Sequence, residues 1–296
     1  MSDFYFDVPP SLYRIIQRLQ GAGYRIVIVG GAVRDCLRKA KYSDYDLASN
    51  ASPRQIQKLF RRCLPTGIKH GTVTILEGND SYEITSFRND GAYKDGRHPE
   101  SVTFTGDLPG DLARRDFTIN ALAFEPIKQV EPSSETKGSP KQFYGHLHDL
   151  YGGQNHLQEG VICAIGPPDL RFEEDALRML RACRFSAQLG FRIEEKTLLA
   201  IRRQHSNLKK VSRPRILQEL RKLFCALYAK QGLDYLWQSQ LWQTVFEGLP
   251  ACDSAAFREP WGGTSWGGTF GGRTFGGALD LFDRLCRLRR TEDNWG

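Results

Sequence analysis

Two aspartates spaced one residue apart, Asp44 and Asp46, and a glycine pair, Gly30-Gly31, are the first residues of this sequence whose types and spacing suggest chemistry. On an extended strand, residues i and i+2 point to one face, about 7 Å apart by strand rise. Two carboxylates so placed can share a pair of divalent ions, which activate an attacking hydroxyl and steady a departing pyrophosphate. Two exposed aspartates on an edge strand give the same pattern, and the residues alone leave both readings open. Glu83 stands between Tyr82 and Ile84. A carboxylate amid apolar residues needs a partner or a metal, which makes Glu83 a candidate third catalytic carboxylate. It is equally a solvent-facing strand residue, sharing its face with Thr85 and Phe87. Gly30-Gly31 end a strand and open a helix. Glycine lets backbone amides approach phosphate, and a helix N-terminus favours negative charge. Arg34, one turn in, reaches the same phosphates. A plain tight turn uses the same glycines.

The elements that must position these residues are legible in outline. Leu12, Ile15, Ile16 and Leu19 have helical spacing, with Ser11 as the expected cap. Arg25 to Val29 is a short β-branched run, hence a buried strand. Residues 32–38 form a helix and Tyr45 to Ala48 a second strand. Ser52-Pro53-Arg54-Gln55 is a capping box with proline at the first helical position. Thr72–Leu76 and Tyr82–Phe87 read as strands joined by a turn at Gly78-Asn79-Asp80. Residues 88–99 are polar and read as a mobile loop. Arg115–Phe124 reads as a compact helical or strand-helix unit, and residues 126–146, without periodicity, as an exposed insertion. From Phe172 to about residue 240 the pattern is helical. Residues 261–277 repeat glycine doublets behind Trp, Thr or Phe and read as a low-complexity tail; a short basic helix over Leu279–Leu288 follows.

A helix over residues 173–189 gathers Ala176, Leu177, Met179, Leu180, Cys183 and Ala187 on one arc at about 100° per residue. Asp175, Arg178 and Arg181 lie opposite. Asp175 and Arg178, three apart, are neighbours on a helix and can be a surface ion pair. Arg184 falls inside the apolar arc, where a charge needs a paired anion or a polar lining.

The chain has 296 residues and a formal net charge of +7. The length allows two domains, and an arginine-weighted excess suits a phosphate-bearing partner. Seven scattered cysteines without a C-x-x-C pair argue against a zinc site and for reduced thiols in a cytoplasmic protein. The N-terminal residues predict no secretory signal, and the lack of any apolar run of membrane-spanning length predicts no membrane association.

Five strings in this order, VGGAVRD (29–35), SDYDLA (43–48), KHGTVTI (69–75), DLARRDFTINALAF (111–124) and RFEEDALRMLRACRFSAQLGF (171–191), resemble the bacterial class II tRNA nucleotidyltransferases and their relatives, the bacterial poly(A) polymerases, within the DNA polymerase beta superfamily. The resemblance runs from about residue 10 to about residue 250. It implies an α+β fold: a polymerase-beta-like nucleotidyltransferase head, a mixed sheet flanked by helices, over residues 1–160, then an all-helical neck and start of a body over 161–250, with a low-complexity tail over 251–296. It implies that Gly31 and Arg34 contact the phosphates of the incoming nucleotide, that Asp44 and Asp46 hold Mg²⁺, and that Arg115 helps bind the triphosphate. Asp175 and Arg178 match the pair that reads the Watson–Crick edge of the base in place of a nucleic-acid template. A carboxylate accepts from the amine that both C and A carry, and an arginine donates to their ring acceptors, so CTP and ATP are the expected nucleotides. Arg181 and Arg184 match further nucleotide contacts. The expected acceptor is the 3′ end of tRNA, and the expected reaction adds CCA, or part of it. KHGTVTI and the stretch with Tyr93 and Arg97-His98-Pro99-Glu100 look closer to the CCA-adding branch than to the poly(A) polymerases; a non-catalytic RNA-binding remnant is the third reading.

The sequence departs from the family's pattern in three places. Cys36-Leu37-Arg38-Lys39-Ala40 replaces a short Leu-Leu-Gly, residues 126–146 look inserted, and the helical part reads as shortened at the C-terminus.

Overall fold

Alternation of apolar side chains builds the centre of the largest sheet, and in a computed structural model of the chain that sheet carries Asp46 and Glu83. The structure describes residues 2–68, 71–90, 102–104, 107–130 and 140–246. Two compact units divide them: one over Met1–Lys94, His98–Glu159 and Cys163–Ile165, the other over Gly160–Ile162 and from Gly166 onward.

The first unit runs β1 (Ser2–Val8), α1 (Pro10–Gly21), β2 (Ile26–Val29), α2 (Gly31–Leu37), β3 (Asp46–Ser49), α3 (Pro53–Leu59), β4 (Cys63–Gly67), β5 (Thr72–Glu77), β6 (Asp80–Ser86), β7 (Arg88–Asp90), β8 (Val102–Phe104), α4 (Leu108–Ala113), a 3₁₀ turn at Thr118–Asn120, β9 (Leu122–Val130), β10 (Lys141–Asp149) and α5 (Gly153–Glu159). Eight strands form one mixed sheet in the order β1-β10-β9-β2-β3-β6-β5-β4. Only β3 and β6 pair in parallel; the other ladders are antiparallel. Side chains alternate across the sheet. One face, with Phe6, Ile26, Ile28, Leu47, Val73, Ile84 and Phe124, packs with Leu12, Ile15, Ile16 and Leu19 of α1 and Ile56 of α3. The other face, with Val27, Val29, Ala48 and Ala123, packs with Leu108 and Leu112 of α4. The candidate site lies on this second face.

Several elements follow the local signals. Ser52 caps α3 in a reciprocal capping box with Gln55, behind Pro53. Gly78 turns between β5 and β6 with φ of 65°. Others differ. α1 starts two residues earlier than expected, with Pro9 at the cap position and Pro10 in the first turn. Ser11, freed from capping, bonds Asp80 at 2.6 Å and Tyr82 at 2.7 Å. The stretch 126–146, expected as exposed and without periodicity, is strand where it is described: β9 and β10 form a long antiparallel ladder, and β1 adds to its edge. A register shift between Tyr144 and Gly145 hides the period-two pattern. A Cβ on Gly145 would collide with the carbonyl oxygen of Glu125, so the irregularity requires glycine there. Arg88–Asp90, expected in a loop, pairs with Val102–Phe104. The rest of that loop, the tail and the helix expected over Leu279–Leu288 lie outside the described residues.

The second unit contains β11 (Val161–Ile162), α6 (Pro168–Glu174), α7 (Leu177–Leu189), β12 (Arg192–Ile193), α8 (Glu195–Gln204), a 3₁₀ stretch at His205–Lys210, α9 (Arg213–Phe224), α10 (Ala229–Gln238) and α11 (Leu241–Phe246). α7 is its central helix, and Gly190 ends it with φ of 70°. Gly232 lets α10 approach closely, because a Cβ there would lie 2.7 Å from the Cβ of Ala187. The helix expected over 173–189 is broken: α6 ends at Glu174, and Asp175 has extended backbone with φ of −149° and ψ of 104°. Its side chain accepts from the amide of Leu177 at 3.1 Å. An aspartate that bonds the backbone two residues on competes with helix continuation, and here it starts α7 afresh. Among the described residues, no helix is long and apolar enough to cross a membrane.

Candidate active site

The strand β2 ends where Val29 pairs with Asp46. Gly30 then turns the chain out of the sheet with φ of 76° and ψ of −133°, a backbone conformation open to glycine and strained for other residues. Its amide still bonds the carbonyl of Leu122 at 3.1 Å. Because the ladder stops there, β3 starts at Asp46, and Asp44 and Tyr45 precede it. The two aspartates therefore do not share one strand, contrary to the spacing argument. Their outward disposition has another source. Tyr45 packs its ring 6.5 Å from Phe6 and 6.4 Å from Tyr82, and burial pushes its phenol up to about 12. With Tyr45 anchored, Asp44 and Asp46 on either side are exposed.

A Cβ placed on Gly30 would lie 3.2 Å from Nη1 of Arg115 and 3.5 Å from Oδ2 of Asp46. A guanidinium and a carboxylate thus converge on the one position that has no side chain. Arg115 Nε is buried without a hydrogen-bond partner, while Nη2 donates to Asp111 at 3.2 Å. Nη1 is the nitrogen that faces Gly30, and its N–H groups are the ones an anion beside that glycine would meet. Asp111 is fully buried and also accepts from Arg114 at 2.5 Å. Burial pushes its carboxyl up, but the charges of Arg115 and Arg114 outweigh that and hold it below the ordinary value.

Gly31 opens α2, and Arg34 of that helix is buried. Its guanidinium donates to both oxygens of Asp35, at 2.9 and 2.7 Å, and through Nη1 to Oδ1 of Asn120 at 2.7 Å. Asn120 in turn donates to Asp116 at 3.0 Å, and Asp116 also accepts from the amide of Phe117. The first motif and the RRDFTIN motif are thereby one network, with Arg115 approaching Gly30 and Arg34 approaching Gly31. Asp35, Asp111 and Asn120 were not singled out in the sequence; the one available signal was their place inside recognisable strings.

Glu83 is exposed on β6. Leu47 pairs with Ile84 and Ala48 with Thr85, so one register step back sets Glu83 level with Asp46 on the same face. Among the described residues, no group of three His, Cys, Asp or Glu side chains is arranged to hold a metal. Two hard carboxylates, with substrate phosphates and water completing the shell, are however the donor set that suits Mg²⁺; Asp44 and Asp46 fit that requirement.

The remaining candidates belong to the helical unit. Asp175 and Arg178 do not form the isolated surface pair that a continuous helix predicts. Oδ2 of Asp175 accepts from Arg215 at 2.7 Å, and Arg178 donates to Glu174 at 2.6 Å and to the carbonyl of Arg171 at 3.2 Å. The anion that Arg184 requires is Glu219 on α9. Arg184 also bonds Gln188 and lies 3.8 Å from the ring centre of Phe185, and Arg181 reaches Glu219 at 3.7 Å. Arg184 and Glu219 are both buried, so Arg184 is held as part of the helix packing in this structure. Glu174, Arg215 and Glu219 were not identified from sequence.

Residues 26–163 match the family model of the poly A polymerase head domain, and residues 190–252 match that of the probable RNA and SrmB-binding site of polymerase A. The CCA-adding enzyme of Lactobacillus helveticus is 42% identical over 239 residues, which cover 81% of this chain and 56% of the relative. That of Geobacillus kaustophilus is 39% identical over 252 residues, covering 83% and 58%. The crystal structure of the Bacillus stearothermophilus CCA-adding enzyme in complex with CTP aligns with a TM-score of 0.65 and 35% identity, over 78% of this chain and 52% of that one. The chain spans about half the length of these relatives. With head and RNA-binding regions both matched in order, the chain belongs to the family of class II tRNA nucleotidyltransferases and bacterial poly(A) polymerases.

Proposed function

We propose that the chain transfers nucleotides from CTP and ATP to the 3′ end of tRNA, completing all or part of CCA, with release of pyrophosphate. The observation that carries this reading is the convergence of Arg115 and Asp46 on the missing side chain of Gly30. Cation, carboxylate and open backbone are there assembled for a triphosphate and its metal. Asp44 and Asp46 would hold Mg²⁺, which supplies Lewis acidity to the reacting phosphate and charge to offset the leaving group. Arg115, with Nη1 beside Gly30, binds the triphosphate, and Arg34 adds a second cation over Gly31. The 3′ oxygen of the RNA bonds the α-phosphorus as the bond from that phosphorus to the bridging oxygen breaks. The electron pair leaves with pyrophosphate, and Glu83 is the carboxylate placed beside Asp46 to receive the hydroxyl proton.

For base choice, Asp175 accepts from the exocyclic amine and Arg178 donates to the ring acceptors that C and A share. Arg215 and Glu174 hold the two side chains in place meanwhile. The reading places the protein in the cytoplasm, with tRNA.

The test uses tRNA transcripts ending before CCA, before CA and before A, each with labelled CTP or ATP and Mg²⁺. Incorporation of C and A is expected, and Asp44→Ala should abolish it while leaving the melting curve in place. Turnover near wild type in that variant would remove the two-metal assignment. Long A tails would instead favour a poly(A) polymerase, a reading kept open by the matched head family. A folded protein without incorporation would favour an RNA-binding remnant.

A further inference from the structure

Two of the contacts that hold the Arg34 guanidinium differ in kind. Asp35 is its neighbour in the same helix and moves with it. Asn120 belongs to another segment, the 3₁₀ turn at Thr118–Asn120, and ties the guanidinium to that turn. The direction in which Arg34 points is therefore set where the turn is set. A 3₁₀ turn of three residues has poor hydrogen-bond geometry and little stiffness of its own. The amide of Thr118 bonds the carbonyl of Cys163 at 3.0 Å, and the amide of Ala121 bonds the carbonyl of Thr118 at 3.0 Å.

The helix α5 adds a hold of its own. A Cβ on Gly153 would lie 2.4 Å from the carbonyl oxygen of Thr118, so the start of α5 rests on the turn at backbone distance. Positions three apart share a helix face, and three residues on, Nδ1 of His156 lies 2.8 Å from Oγ1 of Thr118. Thr118 is buried, so its hydroxyl needs a partner inside the protein, and His156 supplies one. A hydroxyl both donates and accepts, so this bond forms with either tautomer of the imidazole. α5 is itself fixed by Asp149, whose carboxylate accepts from the amides of Gly153 at 2.7 Å and Gln154 at 2.9 Å, two of the donors that a helix start leaves open. We infer that His156 is a positioning residue for the nucleotide: through Thr118 it fixes the 3₁₀ turn, through Asn120 the guanidinium of Arg34, and so the cation beside Gly31 that meets the triphosphate. This rests on the nucleotidyltransferase reading above.

The full chain is tested with His156→Leu, which lacks the ring nitrogen, and His156→Asn, whose Oδ1 falls near the place of Nδ1. In the incorporation assay, His156→Leu should raise the KM for CTP about tenfold, the worth of roughly one hydrogen bond. A cation held out of place weakens ground-state and transition-state binding alike, so kcat and the KM for the tRNA transcript should each stay within about twofold of wild type. His156→Asn should restore the CTP KM. Thr118→Val removes the other end of the same bond and should reproduce the tenfold rise, which carries the test if His156→Leu does not fold. In an Arg34→Lys background, His156→Leu should add less than about twofold, because changes that act through one contact are not additive. The Nε–H signal of Arg34 in a ¹⁵N correlation spectrum, identified by its loss in Arg34→Lys, should move in Thr118→Val and His156→Leu and return in His156→Asn. An unmoved signal, a CTP KM within about twofold of wild type in both variants that lack the bond, or a full tenfold step in the Arg34→Lys background would overturn the positioning. Incorporation by the wild-type chain with an unmoved signal in the variants removes the positioning and leaves the function standing. A moved signal in a chain that incorporates nothing does the reverse.

Discussion

Gly30→Ala separates the backbone of the site from its charges. Two effects combine. The conformation at Gly30, φ of 76° and ψ of −133°, costs a residue with a Cβ on the order of 1–3 kcal/mol. The new methyl would also stand 3.2 Å from Nη1 of Arg115, so the guanidinium must retreat by a few tenths of an ångström from the place an anion would take. For a unit of about 160 residues, each kcal/mol lowers the melting temperature by about 2–4 °C; a fall of about 4–8 °C corresponds to roughly 2 kcal/mol. Displacing one donor from developing phosphate charge costs about 3 kcal/mol of transition-state stabilisation, roughly a hundredfold in kcat/KM. Gly31→Ala is the informative neighbour. Gly31 is helical, and its Cβ would meet only Nη2 of Arg34, at 3.6 Å, so stability should hold or rise by about 0.5–1 kcal/mol. Any loss of nucleotide affinity there then reports a phosphate contact directly. Differential scanning fluorimetry and CTP incorporation measure the two quantities. A Gly30→Ala protein with wild-type kcat/KM would refute the idea that the missing side chain is the binding space.

Two further outcomes follow from the ion pairs. Glu219→Gln leaves the guanidinium of Arg184 buried without its anion, which should cost about 3–5 kcal/mol in urea denaturation; the double variant Glu219→Leu, Arg184→Met should recover most of that, and a fully destabilised double variant would contradict the pairing account. Glu125 is pushed up by burial, but hydrogen bonds from His148 and Arg25 at 2.6 Å and the charge of Arg25 bring it down to about 2. A depressed carboxyl stabilises the fold above its unfolded value, near 4.5, and loses that contribution as pH falls from there toward 2, by at most about 3 kcal/mol. Stability measured between pH 7 and pH 3 should therefore fall less steeply in Glu125→Gln, and equal slopes would count against the assignment.

What was legible in the sequence was local. The β-branched run of β2, the turn at Gly30 and the capping box at Ser52 depend on residues within a few positions of each other, and all three form. Contacts made at long range were not legible. Asn120 matters because it meets Arg34, 86 residues away, and its place in the RRDFTIN string does not tell of that contact. β1 and the β9–β10 ladder were missed because their partners are distant or their alternation is interrupted at Gly145. Arg184 is the intermediate case: its position on the apolar arc demanded an anion, while Glu219 could be supplied only by a helix 35 residues further on.

The break between α6 and α7 has the same character and the larger functional consequence. On a continuous helix Asp175 and Arg178, three residues apart, would neutralise each other, and neither would be available to a base. Asp175 instead leaves the helix, caps Leu177 with one oxygen and takes Arg215 on the other. Arg178 takes Glu174. Each member of the pair therefore has a counter-ion of its own, from α9 and α6 respectively. A carboxylate and a guanidinium kept apart in this way can accept from one edge position of a base and donate to the next, which is what a choice of C and A over U and G requires. The irregular backbone at Asp175 is thus a requirement of the base-reading role proposed for it, and restoring helical continuity there should weaken discrimination between CTP and UTP before it weakens transfer itself.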